Sequence, residues 1–387
     1  MTKQERFKSG LNWILKYSAF IVLLVALFQN CSSSLNSESS DGGAYQTLEK
    51  PNRVKWHPGH YYTLMKLGKY SASYLEQVYK ELDATPALRG VQVRFDWPTL
   101  EPTEGNYDFS SIDQLLNQLQ VHEKRLIILL QLRTFDTVTP LVPSYLMTDF
   151  YEGGVFLYTG SGSTTPKGSN LKLWNNNVRD RLTSLIKALG LHLNSHPYLE
   201  GIGITESAMG TSIEPTTVDQ ENEYYINLLN ANVELRRYFP NTLTYQFTNF
   251  PRSQLKDLID GLESIGAALG GPDILPDEPG LNVVNQPNMP DGVYSYYPKL
   301  SGVIPLVPSI QPTNYVNTSH DGTGHAPTVQ ELLDFGKNNL KANYLFWTRD
   351  PDYYLDVLQL LKSSAQTANP EGGLDGRCPS SFTSCVN

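Results

Sequence analysis

The sequence predicts one α/β domain, a (β/α)8 TIM barrel with long loops at the C-terminal face of the barrel. From about residue 54 the chain alternates short apolar segments with amphipathic ones, as a closed parallel sheet surrounded by helices requires. Neither a repeat nor a linker divides this part of the chain. Two long segments, 134–177 and 272–299, each follow a predicted strand, so both belong at the C-terminal face, where barrel enzymes carry their sites. An open doubly wound sheet is the alternative, but no glycine-rich phosphate loop supports it.

Eight segments have the composition of strands. The continuously apolar run Arg125–Arg133 is typical of a parallel strand that is buried on both faces. The weakest candidates are Ile265–Leu269, which is short, and Val303–Ile310, which contains prolines. The predicted strands are Val54–Leu64, Gly90–Trp97, Arg125–Arg133, Gly201–Thr205, Leu243–Phe250, Ile265–Leu269, Val303–Ile310 and Asn343–Thr348.

Amphipathic segments between these strands predict the helices. Val178–Leu193 has the clearest helical spacing of apolar residues, and Pro327 precedes another helix at a position where proline is favoured. The predicted helices are Ser73–Leu82, Ile112–His122, Val178–Leu193, Glu221–Tyr238, Gln254–Leu262, Thr328–Leu340 and Tyr353–Lys362.

The composition narrows the range of partners. The chain has 387 residues and a net charge of −9, and it has no basic run in its body, which argues against nucleic acid as a partner. Its 23 Tyr, 14 Phe and 5 Trp include many rings with a flat apolar face and a polar edge, which suits sugar rings. No Cys/His cluster has the spacing of a zinc site, so we expect no metal and no cofactor. We expect a monomer.

The N-terminus is typical of an export signal. The apolar run Ala19–Phe28 is too short to span a bilayer comfortably and is followed by Cys31. Residues 1–31 resemble a bacterial lipoprotein signal, which implies lipidation of Cys31 and a membrane-anchored protein of the cell envelope. Phe28–Asn30 depart from that pattern, so ordinary cleavage and an uncleaved anchor are alternatives. The basic residues before the run are Lys3, Arg6, Lys8 and Lys16.

The rest of the chain divides into three parts. Residues 32–50, rich in Ser, Gly, Asn and Glu, predict a flexible tether, residues 51–365 predict the barrel, and residues 366–387 predict a C-terminal tail. Within that tail, Cys378 and Cys385 could close a small loop as a disulfide in an oxidising compartment, which agrees with export.

The segment Arg94–Phe109, RFDWPTLEPTEGNYDF, is the most informative in the chain. A strand that ends in Arg and Trp, followed by the pattern W-x-x-L-E-P-x-x-G-x-Y-D-F, resembles the second βα unit of clan-A glycoside hydrolases. Gly105 permits the turn within this pattern. At the strand end, Arg94 could hold a carboxylate in its ionised state or form a structural ion pair.

The resemblance extends to Glu206, which follows Gly201–Thr205, where a fourth barrel strand would end. In the clan, the fourth-strand Glu is the general acid/base of a retaining hydrolase, so the resemblance implies that role for Glu206 on a polysaccharide or oligosaccharide. The clan usually has Asn directly before this Glu, whereas Thr205 stands here.

A retaining glycosidase needs a second carboxylate, about 5 to 5.5 Å from the first, as nucleophile. In the clan it ends the seventh strand, but the predicted seventh strand here is followed by the amide Gln311. Three explanations remain. Asp273, after the predicted sixth strand, serves instead; the strand count is off by one and Asp273 belongs to the seventh strand; or the site has lost hydrolysis and kept sugar binding.

Further strand-end residues predict sugar binding. Trp347 resembles the eighth-strand Trp that forms the floor under the sugar in the clan, although a core Trp is the alternative. Hydrogen bonds to sugar hydroxyls are predicted from Gln311, Asn249 and His60. Lesser candidates are His57, Tyr61 and Gln131.

The preferred interpretation is therefore a glycoside hydrolase-like protein with Glu206 as acid/base. The alternative is a catalytically inactive, carbohydrate-binding barrel lipoprotein of the cell envelope, which the missing seventh-strand carboxylate favours. A purely structural envelope lipoprotein is a third interpretation, but it would not predict aromatic and polar residues concentrated at strand ends.

Overall fold

The computed structural model describes residues 48–160, 162–319 and 322–387. Eight parallel strands close into a barrel in chain order, each hydrogen-bonded to the next and the last to the first. The predicted (β/α)8 fold is confirmed. The predicted export signal, Cys31 and most of the predicted tether lie outside the described residues. The strands are β1 (Gly59–Leu64), β2 (Leu88–Asp96), β3 (Arg125–Gln131), β4 (Leu199–Ile204), β5 (Leu243–Phe247), β6 (Ala268–Gly271), β7 (Leu306–Ile310) and β8 (Tyr344–Thr348).

Eight helices accompany the strands. Seven follow the predicted segments, and the eighth, between β6 and β7, is a single turn because the chain there is rich in Pro and Asn. Within the described residues no helix is long and apolar enough to cross a bilayer. The helices are α1 (Ala72–Asp83), α2 (Ser110–Val121), α3 (Asn176–Leu193), α4 (Val218–Tyr238), α5 (Arg252–Ser264), α6 (Tyr297–Leu300), α7 (Val329–Asp334) and α8 (Tyr354–Leu361).

The core has two layers, one inside the barrel and one between the barrel and its helices. A polar chain crosses the interior: Thr63 donates to Gln92, Gln92 donates to the Tyr245 hydroxyl, and that hydroxyl donates to the Ile128 carbonyl. The Tyr245 ring lies directly against Gly203, where a Cβ would be 2.4 Å from it. This interior is therefore filled by side chains, as in other small barrels, and leaves the strand ends as the place for a site.

The two predicted loop insertions lie after β3 and β6. The first contains the antiparallel strands Val155–Thr159 and Pro166–Leu171, to which Thr211–Ser212 from the loop after β4 adds a third strand. The second contains the short helix Pro279–Asn282. Because both insertions follow strands, they extend the C-terminal face of the barrel.

The C-terminal tail covers the opposite, N-terminal end of the barrel. Val54–Lys55 pairs in parallel with Cys385–Val386, and Cys378 is joined to Cys385 by a disulfide with Cα atoms 5.9 Å apart. The Phe382 ring packs edge-on against Trp56, with centroids 6.0 Å apart. The tail is thus part of the folded domain.

A buried carboxylate, Glu200, lies among the interior residues of this closed end. Its oxygens accept from the His57 backbone N–H (2.7 Å), the His57 ring (2.8 Å) and the Tyr344 hydroxyl (2.6 Å), and Arg125 lies 3.6 Å away. Burial alone would raise the pKa of Glu200, but these hydrogen bonds and charges lower it to about 2. His57 and Tyr61, which donates to the His57 carbonyl, therefore belong to a structural network, which corrects their interpretation as site residues.

Candidate functional site

The C-terminal strand ends form one site, here called the mouth and defined by Arg94, Arg133, Phe135, Glu206 and Gln311. Arg94 lies two residues before the end of β2, Glu206 follows β4 and Gln311 follows β7. Side chains of these residues interact although they are far apart in sequence. For example, the Arg94 Nη2 donates a hydrogen bond to the Gln311 Oε1 at 3.3 Å.

Glu206 faces a cation that the sequence analysis did not single out. Its Oε2 lies 3.6 Å from the Arg133 Nη1, and its side chain is 18% exposed. Arg133 also donates to the Ala208 carbonyl, and its guanidinium lies 3.9 Å from the centre of the Tyr158 ring. Arg133 is thereby fixed beside the carboxylate that the sequence predicts as acid/base.

Arg94 is a buried cation with few hydrogen-bond partners and no close anion among the described residues. Its one side-chain hydrogen bond within the described residues goes to Gln311, its Nε has no partner there, and no described carboxylate lies within 4 Å. Burial lowers the pKa of Arg94, and the negative charges of Glu206 and Asp273 raise it in part. The Arg94 guanidinium therefore interacts electrostatically with the carboxylates of both Glu206 and Asp273.

Phe135 is the aromatic residue exposed at this place. It is 49% exposed, and its ring centre lies 5.7 Å from the guanidinium carbon of Arg94 and 5.4 Å from that of Arg133. The sequence analysis missed it because it lies beyond β3 in a loop, where no periodicity applies. The sequence offered one indication that Phe135 lies at the site, which is its position two residues after Arg133 at the end of a predicted strand.

The strand count settles the position of Asp273. β6 pairs with β5 and β7, and β7 pairs with β8, so Asp273 follows the sixth strand and Gln311 the seventh. The explanation that the count was off by one is therefore wrong. Asp273 Oδ1 accepts from the Asn314 side chain at 3.0 Å. Gln311 also donates to Ser309 at 3.2 Å, and residues 311–319 contain no carboxylate.

A further carboxylate, Asp96, lies two residues after Arg94 on β2. Because side chains alternate along a strand, Asp96 and Arg94 share a face. Asp96 is 5% exposed, its Oδ2 lies 3.8 Å from the Lys69 Nζ, and its Oδ1 has no partner within the described residues. The sequence analysis quoted this residue within its motif without assigning it a role.

The structure corrects the predictions for Trp347 and His60. Trp347 is fully buried in the layer between barrel and helices, because Phe346 and Tyr344 take the inward positions of β8. The Trp347 Nε1 donates to the His60 Nδ1 at 3.0 Å, and the His60 Nε2 lies 2.9 Å from the Gly372 carbonyl oxygen. Burial lowers the pKa of His60 to about 4, so its ring is neutral and matches both contacts. Neither side chain therefore faces the mouth.

Asn249 has a supporting position. It is buried, and its Oδ1 accepts from the backbone N–H of Ala208 at 3.2 Å and of Phe250 at 2.8 Å. Its own N–H donates to Ser207 at 3.1 Å. These bonds tie the loop after β5 to the loop that follows Glu206.

A cavity of about 890 Å³ adjoins the mouth and shares Arg133 with it. It is lined by the insertion after β3, the loops that follow β4 and β5, and the starts of α4 and α5, and Thr211, Glu221, Tyr225 and Arg252 are among its lining residues. Its volume is in the range of ordinary ligand sites, about 300–1,000 Å³. The described residues hold no group of three or more metal-ligating side chains.

Comparisons with known proteins agree with this architecture. Residues 81–233, which include β2 to β4 and most of the mouth, match the family model Glyco_hydro_42, described as beta-galactosidase. A sequence comparison with curated proteins finds no match. The match to the family model confirms the predicted resemblance to clan-A glycoside hydrolase barrels, and the chain is glycoside hydrolase-like.

Two solved structures share the fold. A β-galactosidase from the psychrophilic Marinomonas ef1 aligns with a TM-score of 0.52 and 12% identity, over 82% of this chain and 61% of that one. The catalytic domain of a β-amylase from Paenibacillus polymyxa aligns with a TM-score of 0.52 and 7% identity, over 80% of this chain and 100% of that domain. The chain spans about three fifths of the β-galactosidase, and at these identities the likeness shows the fold alone.

Proposed function

We propose that this protein binds an oligosaccharide or polysaccharide at the mouth and does not carry out the retaining hydrolysis of the enzymes that it resembles. The observation that carries the proposal is Gln311, which follows β7 and accepts from Arg94 at 3.3 Å. The retaining reaction needs a carboxylate nucleophile, and an amide cannot form the covalent glycosyl intermediate.

The remaining mouth residues support binding. Phe135 offers an exposed aromatic face, on which a sugar ring can stack. Glu206 at the mouth and Asp273, which follows β6, supply carboxylate oxygens that can accept hydrogen bonds from sugar hydroxyls. The adjoining cavity of about 890 Å³ extends the site beyond one ring.

Hydrolysis by Glu206 and Asp273 is the second candidate function. It is favoured by one observation, that the charges of both carboxylates act on the buried Arg94. Glu206 would be the acid/base and Asp273 the second carboxylate, and their separation would decide between retention and inversion. Release of reducing ends from a glycan, abolished by Glu206→Gln in a variant that still folds, would favour this candidate over binding alone.

Phe135→Ala is expected to weaken saccharide binding by about 10- to 100-fold, because stacking and apolar burial of one ring are lost. Titration calorimetry of the full chain with a panel of neutral and acidic oligosaccharides measures the change. Phe150→Ala is the matched control: Phe150 is 65% exposed and packs on Tyr151, with centroids 4.9 Å apart. The proposal fails if the wild-type chain binds no saccharide, or if Phe135→Ala binds as tightly as the wild type.

We further propose that the protein is exported and anchored through a lipid on Cys31, as a monomer at the cell envelope. The basic N-terminus, the short apolar run before Cys31 and the Cys378–Cys385 disulfide support this, since disulfides persist in oxidising compartments. Metabolic labelling with a fatty-acid analogue tests it, with Cys31→Ala as the control that must lose the label.

A further inference from the structure

Two arginines, one at the mouth and one in its cavity, form no ion pair with any described residue. Arg94 has no described carboxylate within 4 Å, and the side chain of Arg252 forms neither a hydrogen bond nor an ion pair with any described residue. Arg349, by contrast, pairs with Glu81, whose two carboxylate oxygens accept its hydrogen bonds. A guanidinium withdrawn from water without a partner is costly, so a cluster of them indicates a ligand that supplies the missing acceptors.

Arg133 lies at both the mouth and the adjoining cavity. Its side chain is 10% exposed, it lines the cavity, and the nearest carboxylate, that of Glu206, lies at 3.6 Å, beyond hydrogen-bond distance. Its Nε has no partner within the described residues. The Tyr158 ring, 3.9 Å from the guanidinium carbon, holds the group in place, so Arg133 presents a fixed cation to both the mouth and the cavity.

The cavity itself has the chemistry of a site for an acidic sugar. Arg133 and Arg252 are its two cations, and Glu221 is the one carboxylate among its lining residues. Glu221 accepts from the Thr216 hydroxyl at 2.8 Å and so already has a partner. Thr211, Ser212 and Ser253 are also among the lining residues, and their hydroxyls can form hydrogen bonds with those of a sugar ring.

We propose that the saccharide is anionic and carries uronic acid residues, with one carboxylate bound in the cavity between Arg133 and Arg252. This rests on the saccharide-binding function proposed above and names its substrate class. A carboxylate is planar and accepts two parallel hydrogen bonds from a guanidinium, so it suits an arginine better than a sugar hydroxyl does. Since the chain carries a net charge of −9, its general field repels such a glycan and these local cations must attract it.

The test compares glycans that differ only in charge. Full-length protein is titrated with oligogalacturonate, with the same oligomer after methyl esterification, with mannuronate and glucuronate oligomers, and with neutral galactan and glucan oligomers. Uronates are expected to bind at least about 10-fold more tightly than the ester and the neutral oligomers, with an affinity that falls as salt rises.

Arg252→Gln is expected to weaken uronate binding by about 10-fold or more and to leave the thermal midpoint unchanged, because the side chain has no described partner to lose. Arg252→Lys should retain part of the affinity. Arg237→Gln removes the same charge from the last turn of α4, where Arg237 pairs with Glu234 at 2.7 Å, and should not change binding.

The outcomes separate the two proposals. Equal affinity for uronates, ester and neutral oligomers, or an Arg252→Gln variant that binds uronates like the wild type, overturns the anionic substrate class and leaves saccharide binding intact. Absence of binding to every glycan overturns the proposed function itself.

Discussion

Glu200→Gln is expected to lower the free energy of unfolding by about 3–5 kcal/mol, the cost of removing one member of a buried charge network. Glu200 is fully buried, and a neutral amide cannot accept all the hydrogen bonds that His57 and Tyr344 donate to it. Urea unfolding followed by fluorescence measures the loss. Glu76→Gln, at an exposed pair with Lys80, is the control and should change stability by less than about 0.5 kcal/mol.

The lowered pKa of Glu200 also predicts that the folded chain loses part of its stability at acid pH. The pKa of Glu200 is lowered from 4.5 to about 2 in the folded chain, so its stabilisation is complete above the unfolded value and is lost as the pH falls from about 4.5 toward about 2. Glu200→Gln should lack this component of the pH profile. A variant with wild-type stability and a wild-type acid profile would contradict the assignment of Glu200 to a stabilising network at the closed end.

Arg94→Met is expected to act in opposite directions on stability and binding. Burial lowers the pKa of Arg94 more than the nearby carboxylates raise it, so the folded chain disfavours this charge. An apolar side chain of similar size should therefore raise the free energy of unfolding by about 1–2 kcal/mol. Saccharide affinity should fall by about 10-fold or more, because a charge-assisted hydrogen bond is lost.

Arg236→Met is the matched control for that result. Arg236 is also buried, and burial lowers its pKa to about 9, but its guanidinium donates to the carbonyls of Phe239 and Thr242 and to the Thr244 hydroxyl. Its loss should destabilise the chain, because those acceptors are left buried and unpaired. Equal destabilisation by both variants would make Arg94 a structural residue and remove it from the binding site.

The strands could be predicted from the sequence, and most of their order follows from it. Buried parallel strands are apolar runs, so segments such as Arg125–Arg133 stand out from the amphipathic helices. Glu206 and Gln311 could be placed as well, because each lies within two residues of the end of a strand and the C-terminal strand ends of a barrel meet at one face. The one-turn α6 was not predicted, since prolines break its pattern.

The orientation of side chains on β8 could not be predicted. The run Tyr344–Thr348 is apolar on both faces, so its composition does not show which residues point into the barrel. The structure places Trp347 outward, and the exposed aromatic ring beside the arginines of the mouth is Phe135, in a loop. The contact between Arg133 and Glu206 could not be predicted from the sequence either, because it depends on how β3 and β4 align at their ends.

A crystal structure of the full-length protein with an oligosaccharide that it binds is the most direct measurement. The sugar ring is predicted to lie on Phe135 between Arg94 and Arg133, with its glycosidic bond intact and Gln311 as a hydrogen-bonding neighbour. A saccharide bound away from these residues would contradict a binding site at the mouth. A glycosyl group joined covalently to Asp273 or another carboxylate would contradict the absence of retaining hydrolysis.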